Sequence, residues 1–341
     1  MVNNVRTFFI YLMFIFPLRV FGDVSDAREA LSKKDTDISQ EKSLEEVFEA
    51  AENNYSLIKK GDITLNYNMS YSYAADQRIN VDIQNEKIVA FDVEPSTSHT
   101  LTNNFNFDYG FKNNITLGVS IPMVVKYDSY GAKSATGIGD VAINMRWQPY
   151  AYIPGELSKT VSASIKTKTG SNPFKTVGEN ELSTGSGYYQ LSGGMSFSKI
   201  VDPVMLYGTS SFTYALPESD VNQPRSGAIL TDVSPGVTVS FAGGFAYSLS
   251  YDVSMSMSFQ GNYTDKSKYT FLSNEISTEV DSSASMSGIY NISLGVRVSP
   301  ETITNIGMGF GLTDDAPDIL LSFSMPIDVN GLKAKSSNRT L

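Results

Sequence analysis

Ile63-Thr64-Leu65-Asn66-Tyr67-Asn68-Met69-Ser70-Tyr71-Ser72-Tyr73 alternates apolar and small polar side chains without a break. In an extended chain successive side chains point to opposite faces, so this run predicts a strand with one greasy face and one wet face. The period recurs. Phe105, Phe107, Tyr109 and Phe111 carry the second run, and Ile115, Leu117, Val119, Ile121 and Met123 the third. Val141 to Trp147, Val161 to Ile165, Tyr189 to Phe197 and Leu206 to Tyr214 follow, then Val237 to Tyr247 and Val253 to Phe259. Tyr290 to Val296, Ile306 to Phe310 and Ile319 to Met325 close the series. That makes twelve predicted strands.

The connections alternate in length. Asn113-Asn114, Asp202-Pro203, Tyr251-Asp252 and Pro300-Glu301 mark tight links, with Ile153-Pro154-Gly155 in a slightly longer one. Opposite them fall polar stretches near 76–97, 126–136, 170–186, 216–231 and 263–283, read as outer loops. Short turns at one end and long loops at the other are the pattern of outer-membrane barrels. The runs are mostly long enough to cross a bilayer at a tilt, and aromatic residues gather near their ends, as interfacial girdles do. Lipid offers no hydrogen-bond partner, so such a sheet must close on itself. The fold expected is an all-β transmembrane antiparallel barrel of about twelve strands over 61–329, with a polar tail over 330–341. Its partner is outer-membrane lipid, and its place is the bacterial outer membrane.

Ahead of the barrel the pattern differs. Arg6 and the apolar run Phe8 to Phe16 read as a signal peptide, 1–22, with Val20 and Gly22 before a cut at Asp23. Residues 23–60 read as a periplasmic segment. Within it Ser43 and Glu46 form a capping box. Leu44, Val47, Phe48, Ala51, Tyr55 and Ile58 follow at helical spacing, predicting one amphipathic helix over 43–60 that Gly61 ends. Its apolar stripe must be buried, either as a plug in the barrel mouth or by self-association.

Composition narrows the function. Across 341 residues only 18% are charged, the formal net charge is −10, and there is no cysteine. A nucleic-acid partner is not expected of so acidic a chain. Disulfides, cysteine-held zinc and thiol catalysis are excluded. The single histidine, His99, rules out multi-histidine metal sites, so no metal or cofactor is expected. Alternation places Asn106, Asp108, Asn144, Arg146, Lys166, Lys168, Gln190, Asn291 and Arg297 on the inner face as candidate pore-lining residues. Arg146, Lys166 and Lys168 either form one basic patch or neutralise acidic groups such as Asp108. An outer-membrane enzyme of phospholipase or protease type would have to use His99, and a structural barrel without transport is a further alternative.

Four segments carry a family resemblance. They are Ser56-Leu57-Ile58-Lys59-Lys60-Gly61-Asp62, running on to Ser70-Tyr71-Ser72-Tyr73; Asp76-Gln77-Arg78-Ile79; Tyr109-Gly110-Phe111-Lys112-Asn113-Asn114-Ile115 with Ile121-Pro122; and Gly137-Ile138-Gly139-Asp140-Val141 with Met145-Arg146-Trp147. Together they resemble the outer-membrane channel family of the phenol-degradation meta-pathway, nearest the branch with functional-amyloid (Fap-type) exporters. The resemblance implies a channel or transporter whose cargo is a hydrophobic solute moving in or a secreted polypeptide moving out. It also implies a homo-oligomer, a trimer in the exporter branch. On the residues alone, the Gly-Ile-Gly-Asp segment is structural: its glycines permit an unusual backbone and Asp140 satisfies nearby amides.

Overall fold

A computed structural model describes residue 58 and residues 60–329, apart from 85–86, 131, 152, 154, 175–181, 202, 226–227, 274–275, 300–301 and 328. The signal peptide, the plug helix up to residue 57 and the tail beyond 329 lie outside the described residues.

The chain forms β1 (Ile63–Gln84), β2 (Lys87–Lys112), β3 (Ile115–Asp128), β4 (Lys133–Ile138), β5 (Ala142–Trp147), β6 (Ser158–Lys166), β7 (Gln190–Val201) and β8 (Val204–Ala215). It continues with β9 (Gln223–Arg225), β10 (Ala228–Ser234), β11 (Thr238–Ser248), β12 (Val253–Thr264), β13 (Lys268–Ser273), β14 (Ile276–Asp281), β15 (Ser285–Ser299), β16 (Thr302–Gly311) and β17 (Ile319–Ile327). Twelve of these pair in a closed antiparallel ring, β1-β2-β3-β5-β6-β7-β8-β11-β12-β15-β16-β17, and β17 returns to β1 over Leu65↔Ile327 to Tyr73↔Ile319. β4 adds to β3 above β5. All twelve expected strands are present.

The two faces separate as the alternation requires. Phe107, Tyr109, Leu117, Val119, Ile143, Met145, Leu206, Phe241, Leu294 and Ile306 are exposed on the outside. Their neighbours Asp108, Thr116, Arg146, Ser196, Ser254, Ser256 and Asn305 are buried on the inside. Packing is thus inverted relative to a water-soluble domain: the greasy surface faces lipid and the polar groups satisfy one another within. Tyr71, Tyr73 and Tyr127 surround His99 near one end of the wall, while Tyr109, Phe111 and Trp147 ring the other. His99 and Tyr109 lie ten residues apart on β2, about 33 Å of strand; a tilt of about 40° leaves roughly 25 Å between the girdles. That matches an outer-membrane apolar band.

Four stretches expected as loops are built otherwise. Residues 76–97 continue β1 and β2 beyond the wall as a paired hairpin, Asp76↔Ser96 to Gln84↔Lys87. Residues 126–136 are mostly the ends of β3 and β4, joined by a tight turn with Ala132 at φ 49°. The connections at 216–237 and 265–284 fold into a second sheet, β14-β13-β10-β9. Outside the bilayer both faces of a strand meet water, so the alternation that marks a strand in the wall disappears.

Candidate functional site in the barrel interior

The interior divides into two sectors. On β2, β3, β5 and β6 it carries charge. Asp108 stands opposite Gly118, and Asn144 is the next partner of Gly118 across β3. A Cβ at Gly118 would sit on the Asp108 carboxylate, so the glycine opens the path along which Asp108 reaches β5. There Asp108 Oδ2 meets the Arg146 guanidinium at 3.1 Å, with both side chains almost fully buried. Above this pair Asn104, Asn106, Ser120 and Asn144 form a neutral ladder. The Asn104 amide and the Ser120 hydroxyl both donate to Asn106 Oδ1, and Asn144 Nδ2 donates to Ser120 Oγ at 3.1 Å.

Asp140 organises the outer end of this sector. Its Oδ1 accepts the Gly170 N–H at 3.1 Å; its Oδ2 accepts the Ser186 N–H at 2.7 Å and the Ser186 hydroxyl at 2.6 Å. Residues 167–174 and 182–189 are thereby pulled inward. Thr184 packs against the inner side of Gly137, and inward-facing Lys126 donates to Ser183 O at 2.7 Å. Gly170 and Gly185 are required by contact: a Cβ on either would approach the other's backbone within 3 Å. Gly187, at φ +84°, turns the chain beside Phe174, whose ring stacks on Tyr188. The Gly-Ile-Gly-Asp segment therefore breaks one long strand into β4 and β5 and clamps a loop into the gap. Gly139 donates to Pro122 O, and Val141 pairs with Thr167 and Thr169 instead of continuing the ladder.

Arg146, Lys166 and Lys168 each stand beside a different carboxylate, as the second of the two readings had it. Arg146 is bound to Asp108. Lys166, opposite Ala142, lies 3.8 Å from Asp140. Lys168 falls beyond β6, where its ammonium contacts both oxygens of Glu218 at 2.6 and 2.8 Å. Gln190 and Asn291 face inward from β7 and β15. Arg297 sits at the short-turn rim, its guanidinium 4.9 Å from the Tyr251 ring centre. His99 points outward and shares a 2.8 Å hydrogen bond with the Tyr71 hydroxyl. At the short-turn rim the Ile58 N–H donates to the inward-facing Thr116 hydroxyl at 3.1 Å, so the chain leading into β1 enters at the barrel mouth.

The second sector was not singled out in the sequence. Over the stretch paired into the wall, the inner faces of β7, β8, β11, β12, β15, β16, β17 and β1 carry one charged residue among the described residues, Arg297. The rest is Ser, Thr, Asn, Gln and Gly with a few apolar groups. Ile200, Met205, Tyr207, Ala246 and Ile303 cluster near the short-turn end. The signal that could have found this sector was the lack of any Asp, Glu or Lys on the wet face of those eight runs.

A closed ring of strands with a lipid-facing belt and a polar interior defines an outer-membrane β-barrel protein. No family model matches the chain. Among solved structures it is similar to the COG4313 outer membrane channel from Pseudomonas putida F1, at TM-score 0.57 and 11% identity, over 80% of this chain and 97% of that one. The likeness reaches TM-score 0.45 both for a TodX monoaromatic hydrocarbon channel mutant (8% identity; 79% of this chain, 88% of that one) and for the transport unit of the autotransporter AIDA-I from Escherichia coli (10%; 84% and 96%).

Proposed function

We propose that the protein is a passive channel whose path is the barrel lumen, lined by Asn106, Asn144, Gln190, Asn291 and their Ser and Thr neighbours. The observation that supports this is an inner face kept polar along the wall, where a merely structural barrel could fill its core with apolar side chains. Small water-soluble solutes suit such a wall better than hydrocarbons. The segment before β1 is the plug, with Leu44, Val47, Phe48, Ala51, Tyr55 and Ile58 as its apolar stripe. The Ile58–Thr116 bond favours this, because it starts the chain at the lumen side of the mouth. Deleting 41–57 should raise single-channel conductance in planar bilayers. Unchanged current would remove the plug, and silence both before and after deletion would remove the channel.

A second cargo, an extended polypeptide, rests on the resemblance of residues 56–150 to the amyloid-exporter branch. Crosslinking from a residue such as Asn291 to a co-expressed unfolded substrate tests it. Absence of crosslinks while small solutes still pass leaves the first reading alone.

A further inference from the structure

We infer that the uncharged sector holds a binding site for a neutral, polyhydroxylated solute, at the cavity between β8, β11, β12, β15, β16 and β17. This deepens the channel reading and rests on it. The cavity measures about 180 Å³, and Tyr207, Ser256, Ser258, Gln260, Asn291 and Ser293 are among its lining residues. Its volume lies below the roughly 300–1,000 Å³ of drug-sized pockets, so it suits a small solute.

The chemistry of the lining selects the class. Hydroxyls and carboxamides both donate and accept, so they can exchange hydrogen bonds with a polyol without a fixed direction. Ser256 and Ser293 already show this, their hydroxyls 2.6 Å apart with either able to donate. An ion entering the same space would lose hydration with no opposite charge to replace it. A hydrocarbon would leave the hydroxyls and amides without partners. Tyr207 adds an aromatic ring, whose electron-rich face suits the C–H groups of a sugar.

The rest of this sector points the same way: where paired into the wall, its inner face carries no Asp, Glu or Lys among the described residues. Apart from Arg297 at the short-turn rim, the charged groups of the interior stand on the opposite sector, where Asp108 and Arg146 neutralise each other.

Osmotic swelling of liposomes containing the full mature chain tests the inference, with glucose against gluconate, two solutes of similar size that differ in charge. Glucose should enter at least about fivefold faster, the worth of one net hydrogen bond. Ser293→Lys, or Gln260→Lys should the first not fold, should cut that preference by drawing in the anion and should raise anion conductance. Equal rates for the two solutes, or a glucose preference unmoved by either folded variant, overturn the site while leaving the channel standing. No entry of any solute together with no conductance overturns both.

Discussion

Replacing Asp108 with Asn should weaken the barrel by several kcal/mol, through the guanidinium it strands. Asp108 Oδ2 and the Arg146 guanidinium lie 3.1 Å apart and both side chains are under one-tenth exposed. At an effective dielectric of about 20 their attraction is roughly 5 kcal/mol, most of which offsets the loss of hydration. The pair adds little net stability, but removing one member leaves the other charge buried, at a cost of about 3–5 kcal/mol. With a urea slope near 3 kcal/mol/M, the unfolding midpoint should fall by about 1–1.7 M. Trp147 is the chain's only tryptophan and adjoins Arg146, so its fluorescence in detergent micelles reports this region directly. Arg146→Met should cost a similar amount. The double variant should be no worse than the weaker single one, since contacting groups are not additive. If the two single losses simply add, the pair is not coupled and the reasoning fails.

Asp140→Ala removes the acceptor of three hydrogen bonds from Gly170 and Ser186. Amide exchange at these residues should quicken at least about tenfold, while the wall strands hold their protection; unchanged exchange would mean the loop is held elsewhere. Gly185→Ala places a Cβ 2.5 Å from Asp140 Oδ1, whereas Gly193→Ala meets nothing within 4 Å. The first should therefore expose the chain around Gly170 and Ser186 to protease and the second should not. Lys168→Gln leaves Glu218 without its ammonium, so reversal potentials in a salt gradient should move toward cation selectivity; no movement would place both residues off the ion path.

The wall was legible because lipid and water impose opposite demands on alternate residues, and Ile63 to Tyr73 shows both without interruption. Where that contrast ends, legibility ends. Residues 76–84 and 87–97 are strand, yet their Asp, Gln and Asn break the alternation and read as loop. The Asp108–Arg146 contact was open as one of two readings, because alternation puts both inward but says nothing of register. Only the offset that brings Gly118 between them makes the contact reachable. The break at Gly139-Asp140-Val141 was visible as an odd motif, and its partners, Gly170 and Ser186, lie too far along the chain to be read from spacing.

The seam between β1 and β17 joins residues about 250 positions apart, so nearly the whole polypeptide must be made before the cylinder can be sealed. Until then the first strand needs cover on its other flank, and the register with β2, unbroken from Ile63 to Asp82, supplies it from the outset. A nascent chain thus presents a single raw edge at each end of a growing curved sheet. Whatever machinery assembles it has to hold those two borders apart, then let them meet.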